Sequence, residues 1–474
     1  MLFTKYVPVR FYFLICALAL CCLLLAFFTN NTYLIALPFI GVFLLAALFF
    51  LDFVYLLLIF VIPFSIEYYI GNLSTDLPSE PMAVVVMVFL FFYLLTQKTQ
   101  LKFLLSHQLT VILFLLWIWA IVATIFSTDI LISIKYLAAK TWYIAAFYIA
   151  AFVFTKTKDD LEKQVKILLI PTVVAVCVVM VRHAILGFSF DTINKACTPI
   201  FRNHVNYAIF IAMLLPYIVY LWYISKKSKW IYTLIIILFF VAIFFTYTRG
   251  VWLSLAVLPL VLAIIYFKRL KIVLLLVLLS ASMAAIYLAH NNNYLKYAPN
   301  FSTTIYHNQL NEHLTATFSG EDMSTMERFH RWIAALRMSK INLLNGTGPN
   351  TFVANYKSYT VSSFQTYISE NEEKSTVHNY ILLMLAEQGI LAALLYCILL
   401  IFFYLNAQKY YHLSSSFEMK FLLLMIVCSQ TIFFVNNLFS DLVESNKVGA
   451  MFFINIAWIV CWQRWRNTKA NQIL

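Results

Sequence analysis

The chain has 474 residues and a formal net charge of +13, and it is 63% hydrophobic but only 11% charged. An ordinary soluble domain is roughly one quarter charged, so this composition excludes a globular enzyme in water and points to a chain dissolved in a bilayer. The basic excess lies in short clusters between apolar runs, a topological pattern rather than a nucleic-acid surface, and eight cysteines without a CxxC pair or a Cys/His cluster suggest neither disulfides nor a zinc site.

Crossing a hydrocarbon core of about 30 Å takes about 20 apolar residues. Runs of that kind predict helices at 11–29, 33–50, 53–70, 82–97, 108–126, 139–155, 164–186, 205–224, 230–246, 250–267, 271–289, 378–406, 417–438 and 446–463. The first run follows Lys5 and Arg10 like a signal peptide, but it is long for one and has no small-x-small cleavage site, so a retained helix is expected. The stretch 33–70 is interrupted only around Asp52 and reads as two spans or one broken element. The expected fold is therefore all-α and polytopic, with about 12–14 transmembrane helices.

Alternate connections carry the basic residues: Lys98/Lys102, Lys156/Lys158/Lys163, Lys226/Lys227/Lys229, Lys268/Arg269/Lys271, Lys409 and the tail Arg464/Arg466/Lys469. The intervening short loops are neutral or acidic, as in Asp76 with Glu80 and Asp441 with Glu444. The positive-inside rule puts both termini in the cytoplasm and segment 290–377 outside. Three regions follow: a helix bundle at 1–289, an external, largely helical loop at 290–377, and C-terminal helices with a cytoplasmic tail at 378–474. No pair of interrupted helices of the transporter kind is evident.

Functional side chains are sought at that outer face, since topology needs no long polar insertion. Arg249, in FFTYTRGVWLS, stands at the outer end of its run, the wrong side for a topogenic arginine. It either snorkels to the headgroups or presents a planar fork of donors to a phosphate. In STMERFHRWIAALRM, residues Phe329, Trp332, Ile333, Leu336 and Met338 read as the apolar face of an external helix that Ser324 and Glu327 would cap. Arg328 and Arg331 share another face, as solvated charge, as a contact to an anionic leaflet, or as a functional pair. Gly346, Gly348 and Pro349 in LLNGTGPNTF end that helix and turn the chain, without the context of a nucleotide-binding loop. His378 opens the next apolar run after Ser375 and Thr376, either of which would cap it. A helix N-terminus keeps imidazole neutral, so His378 is either an interfacial histidine bonded to backbone or a general base.

The order YTRG, then R-x-x-x-W (Arg328 to Trp332), then NGTGPNTF, then HNYILLMLAEQGI resembles the O-antigen ligase and polymerase superfamily, with RNHVNYAIFIAMLLP similar to its upstream Asn-rich segment. The resemblance implies a glycosyltransferase of the bacterial inner membrane whose site faces the periplasm. It would move an oligosaccharide or polysaccharide from undecaprenyl pyrophosphate to an acceptor hydroxyl. Carried onto this chain, His378 is the base and Arg249 and Arg328 bind the pyrophosphate, with Arg331, Arg202 and Asn379 in support. Two arginines can neutralise a pyrophosphate leaving group, and no Asp-x-Asp pair in an outer loop suggests magnesium, so neither a metal nor a cofactor is expected. Partners would be the lipid-linked donor, lipid A-core or another glycan acceptor, and membrane lipids, with no nucleic acid. A ligase, a polymerase and a protein O-oligosaccharyltransferase would share this donor chemistry. A lipid-linked glycan transporter is the alternative of another class.

Overall fold

A computed structural model describes residues 29, 36–70, 73–291, 293, 323–360 and 375–471. The expected helix at 11–29, except Thr29, and much of the segment expected to be external, including 294–322 and 361–374, lie outside the described residues. The remainder is all-α and polytopic, apart from one short hairpin.

In chain order the elements are α1 (Ala36–Phe49), α2 (Leu51–Val61), strands β1 (Ile66–Ile70) and β2 (Leu73–Leu77), α3 (Ser79–Thr96), α4 (Lys98–Ser106) and α5 (Gln108–Ile125). They continue with α6 (Ile130–Phe154), α7 (Lys158–Ile185), α8 (His204–Ile224), α9 (Lys229–Phe244), α10 (Arg249–Tyr266) and α11 (Leu270–Ala289). The external helix is α12 (Met323–Ile341), followed by α13 (Tyr380–Leu413), α14 (Phe417–Asn436) and α15 (Asn446–Asn471). Among the described residues nine helices are long and apolar enough to cross a membrane. In hydrocarbon every backbone polar group must find its partner inside the chain, which is why the apolar runs resolve into helices.

One expected span and one connection change. The run 33–70 divides at Phe50, whose ψ of 51° is not helical, and α2 ends at Val61. Pro63 follows in a single 3-10 turn, and IEYYI then pairs antiparallel with LSTDL, Glu67 opposite Asp76. Proline withholds an N–H, and β-branched and aromatic residues favour a strand, so the expected helix at 53–70 is a shorter helix plus a hairpin. The connection at 98–106 is itself a helix, α4, which hydropathy alone did not show.

Burial places α8, α14 and α15 at the centre. Fourteen residues of α8 are buried, from Tyr207 through Leu221, and Trp458 of α15 packs edge-on to Tyr217. A polar staple runs through this core: the Tyr217 hydroxyl donates to Asn455 Oδ1 at 2.5 Å, and Asn455 Nδ2 donates to Ser429 Oγ and Gln430 Oε1, each at 3.0 Å. Away from water such bonds have no competing partner, so they lock helix register. α11, by contrast, exposes Leu275, Leu276, Leu278, Met283 and Ile286, as a lipid-facing helix does.

Cross-helix contacts define two rims. On one, Lys158 pairs with Glu418 at 2.5 Å, Leu270 N donates to Gln408 Oε1 at 3.3 Å, and His412 bonds the Ile265 carbonyl at 2.9 Å. This rim joins the ends of α6, α10 and α13 to the starts of α7, α11 and α14, and it carries the basic connections. On the other, Thr128 N donates to Thr347 O at 2.9 Å and Tyr380 N to Asn437 O at 3.1 Å. His378, Arg249, α12 and the hairpin belong to this second rim.

Candidate active site

His378 does not open its helix. It lies in the left-handed region, at φ +56°, two residues before α13 begins, and Asn379 is the cap, its side chain accepting from Leu382 N at 3.0 Å. Ser375 and Thr376 are therefore not the cap. The Thr376 hydroxyl instead donates to Asp441 Oδ2, which also accepts from His378 N at 2.9 Å. A non-glycine residue at positive φ costs free energy, so this carboxylate holds His378 in a conformation it would not otherwise prefer. Burial pushes the Asp441 carboxyl up to about 6.

The loop that supplies Asp441 is itself pinned. Asn379 Nδ2 donates to Leu438 O at 3.2 Å, and Glu444 Oε1 accepts from Lys140 Nζ at 2.8 Å, from the Tyr380 hydroxyl at 2.7 Å and from the Tyr136 hydroxyl at 3.0 Å. An apolar cavity adjoins this cluster, lined by Lys140, Tyr136 and Tyr380 together with Trp117, Met384, Tyr396 and Phe453.

α12 supplies the arginines, but its buried face is turned from the one expected. Arg331, Ile333, Ala334, Ala335 and Met338 are buried, whereas Leu336 is 39% exposed. α12 packs against α13, and small Ala334 and Ala335 are on its buried side while Leu336 is not. Ser324 is a helical residue of α12, whose described part begins at Met323. Arg331 is almost fully buried, with Glu327 one turn away at 3.6 Å, and Arg328 is half-buried. Both guanidiniums act on His378. Its pKa is lowered to about 3, first by burial, then by Arg331 and Arg328. The direction agrees with a neutral imidazole, with burial as its first cause and the two α12 arginines adding to it.

Arg249 is the first residue of α10, half-buried behind Thr248. A Cβ at the next residue, Gly250, would lie 2.7 Å from Asn436 Oδ1, so this helix start is pressed against the end of α14. The neighbouring Asn437 carbonyl accepts from Tyr380 N. Arg249, His378 and the α12 arginines thus come from three separate stretches of chain to one rim. Arg202 is not drawn into this set; it is 69% exposed and faces Glu67 of the hairpin at 3.9 Å.

Sequence reasoning overlooked Asp441 and Glu444, read only as an acidic loop, and the ionisable Lys140 and Glu387 inside membrane-spanning α6 and α13. An ionisable residue within an apolar run is the signal that marks the last two. Among the described residues no group of three or more His, Cys, Asp or Glu side chains can hold a metal ion. Chemically, the rim offers a neutral imidazole beside fixed positive charge, an arrangement suited to an anionic leaving group and a hydroxyl nucleophile.

Residues 234–397 match the family model described as O-Antigen ligase, a stretch that includes Arg249, Arg328, Arg331, His378 and Asn379. No curated protein matches the chain.

Proposed function

We propose that this membrane protein, whose residues 234–397 match the O-antigen ligase family model, is a glycan-transferring enzyme, specifically an inverting, metal-independent ligase. It takes a glycan from undecaprenyl pyrophosphate and joins it to a hydroxyl of lipid A-core on the periplasmic side of the inner membrane. The observation that carries this reading is the pairing of His378 with Arg328 and Arg331, brought from a separate external helix onto the rim opposite the basic connections.

In the step itself a ring nitrogen of His378 takes the acceptor's hydroxyl proton as that oxygen bonds to the anomeric carbon. The bond from this carbon to the pyrophosphate breaks on the opposite face, and its electron pair leaves with the phosphate oxygen, so the configuration inverts. Arg328 and Arg331, with Arg249 at the start of α10, meet the growing negative charge, as arginine forks and a helix N-terminus both do. Donor binding also tunes the base. Once the pyrophosphate's negative charge pairs with the guanidiniums, their repulsion of a proton on His378 is relieved, and the ring becomes more basic when it is needed.

Purified enzyme in nanodiscs is given an undecaprenyl-pyrophosphate-linked glycan and, in turn, lipid A-core, a second lipid-linked glycan and a hydroxyl-bearing peptide. Transfer to lipid A-core with inversion at the new linkage is the expected result. Transfer to the lipid-linked glycan alone would make the enzyme a polymerase, and retention of configuration would end the direct-displacement mechanism.

A further inference from the structure

α13 is broken at Gly389, whose φ of +78° and ψ of −178° are not helical. In an unbroken helix Ile390 N would donate to Ala386 O. Here Ile390 N donates to Leu343 O at 2.8 Å, while Ala386 O accepts from Thr347 N at 3.1 Å and Glu387 O from Gly348 N at 2.8 Å. The loop after α12 therefore takes up the polar groups that the break releases.

The Glu387 side chain completes the junction. It is buried, and each oxygen serves a different amide: Oε2 accepts from Asn350 N at 2.8 Å and Oε1 from Phe352 N at 2.9 Å. The fit leaves no room for a methyl group. A Cβ at Gly346 would lie 2.2 Å from the Glu387 carbonyl carbon, at Gly348 2.0 Å from Ser127 Oγ, and at Gly389 1.8 Å from Leu344 O. The corner between α5 and α6 grips the loop from the other side, Ser133 Oγ donating to Pro349 O at 2.8 Å.

We propose that Glu387 and the break at Gly389 form a clasp that fixes α12, and with it Arg328 and Arg331, over His378. Glu387 is a positioning residue for the transfer reaction, which rests on the function proposed above. A helix held only at its far end would swing, and a displacement of about 1 Å at a reacting centre can cost about a hundredfold in rate.

Glu387→Gln is the direct probe: it keeps the shape of the side chain, but its NH2 group must face one of the two amides, donor against donor. Spin labels on Leu336→Cys of α12 and Leu131→Cys of α6, both exposed, report their separation in the full-length protein in nanodiscs with its other cysteines replaced. The clasp requires a broader or shifted distance distribution in Glu387→Gln. It also requires a loss of at least about tenfold in donor kcat/KM while the acceptor KM stays within about twofold. His378→Ala should keep the wild-type distances. An unchanged distribution in Glu387→Gln overturns the clasp, whether or not transfer falls. If Glu387→Gln is not recovered as monodisperse protein, Gly348→Ala decides, since it dislodges the loop at Ser127 while the Glu387 side chain keeps its carboxylate: altered distances support the clasp and wild-type distances overturn it. If wild-type protein transfers no glycan, the function falls, and the distance measurement still decides the clasp.

Discussion

At the scale of single residues, His378 gathers the most physics. Its backbone is held at φ +56° by Asp441, and its ring is kept neutral by burial and two guanidiniums. We expect His378→Ala to lower kcat by about 10²–10⁴, the usual worth of a positioned general base, with expression and membrane insertion unchanged. Near-wild-type turnover would remove that role. Arg331→Ala and Arg328→Ala should each lower kcat/KM for the donor by about a hundredfold. The pH dependence follows from the sign of the shift. Protonation disables a base, so activity falls as pH drops through its pKa. With that value lowered to about 3 in the free protein, donor kcat/KM should lack an acid limb from His378 near pH 6.5. The limb in kcat, which reports the donor complex, should lie at higher pH than the one in kcat/KM. A pH series in EDTA tests both this order and metal independence. Activity lost to chelation and restored by a divalent ion would show that arginines alone do not neutralise the pyrophosphate.

At the scale of elements, α12 and α13 behave as one unit because the chain between them is bonded to a gap in α13. Glycine gives the measure of that coupling. Gly187 and Gly389 share a positive φ, +79° and +78°, but a Cβ at Gly187 meets nothing within 4 Å, while at Gly389 it lies 1.8 Å from Leu344 O. Gly187→Ala should therefore cost only the backbone preference, about 1–2 kcal/mol. Gly389→Ala adds a clash with backbone, should cost more, and should loosen α12 as well. Thermal unfolding in one detergent ranks the pair, and equal losses would mean that the break tolerates a side chain. α12 also shows why periodicity misled: its alternatives for burial differ by one helical position, and the small Ala334 and Ala335 are buried where the larger Leu336 is exposed.

At the scale of the molecule, the two rims differ in kind. One carries the basic connections and short turns; the other carries the hairpin, α12, the clasp and the histidine. By the positive-inside rule the second rim is the one expected to face the periplasm. In a cysteine-free background, Ser358→Cys should react with an impermeant reagent from outside, and Lys226→Cys only after permeabilisation. The reverse pattern would invert the orientation and remove the periplasmic donor with it.

Hydropathy and charge by themselves determined that this chain is an all-α polytopic membrane protein, which connections share a side, and that the residues of interest lie outside the basic rim. Those properties are sums over local composition, and the bilayer reads them segment by segment. Local context drew attention to Arg249, Arg328, Arg331 and His378, and motif order then favoured Arg249, Arg328 and His378. Only tertiary structure decided that both α12 arginines lie near enough to His378 to lower its pKa while Arg202 faces Glu67, that Asn379 is the cap, and that Asp441, 63 positions along the chain, holds the histidine's backbone. It alone decided, too, that Glu387 closes a break in a helix which hydropathy reads as continuous. The apolar side chains on both sides of Gly389 have the same hydropathy whether the helix is whole or broken. What settles it is which polar groups another segment brings within bonding distance, a property of the folded chain and not of any window along it.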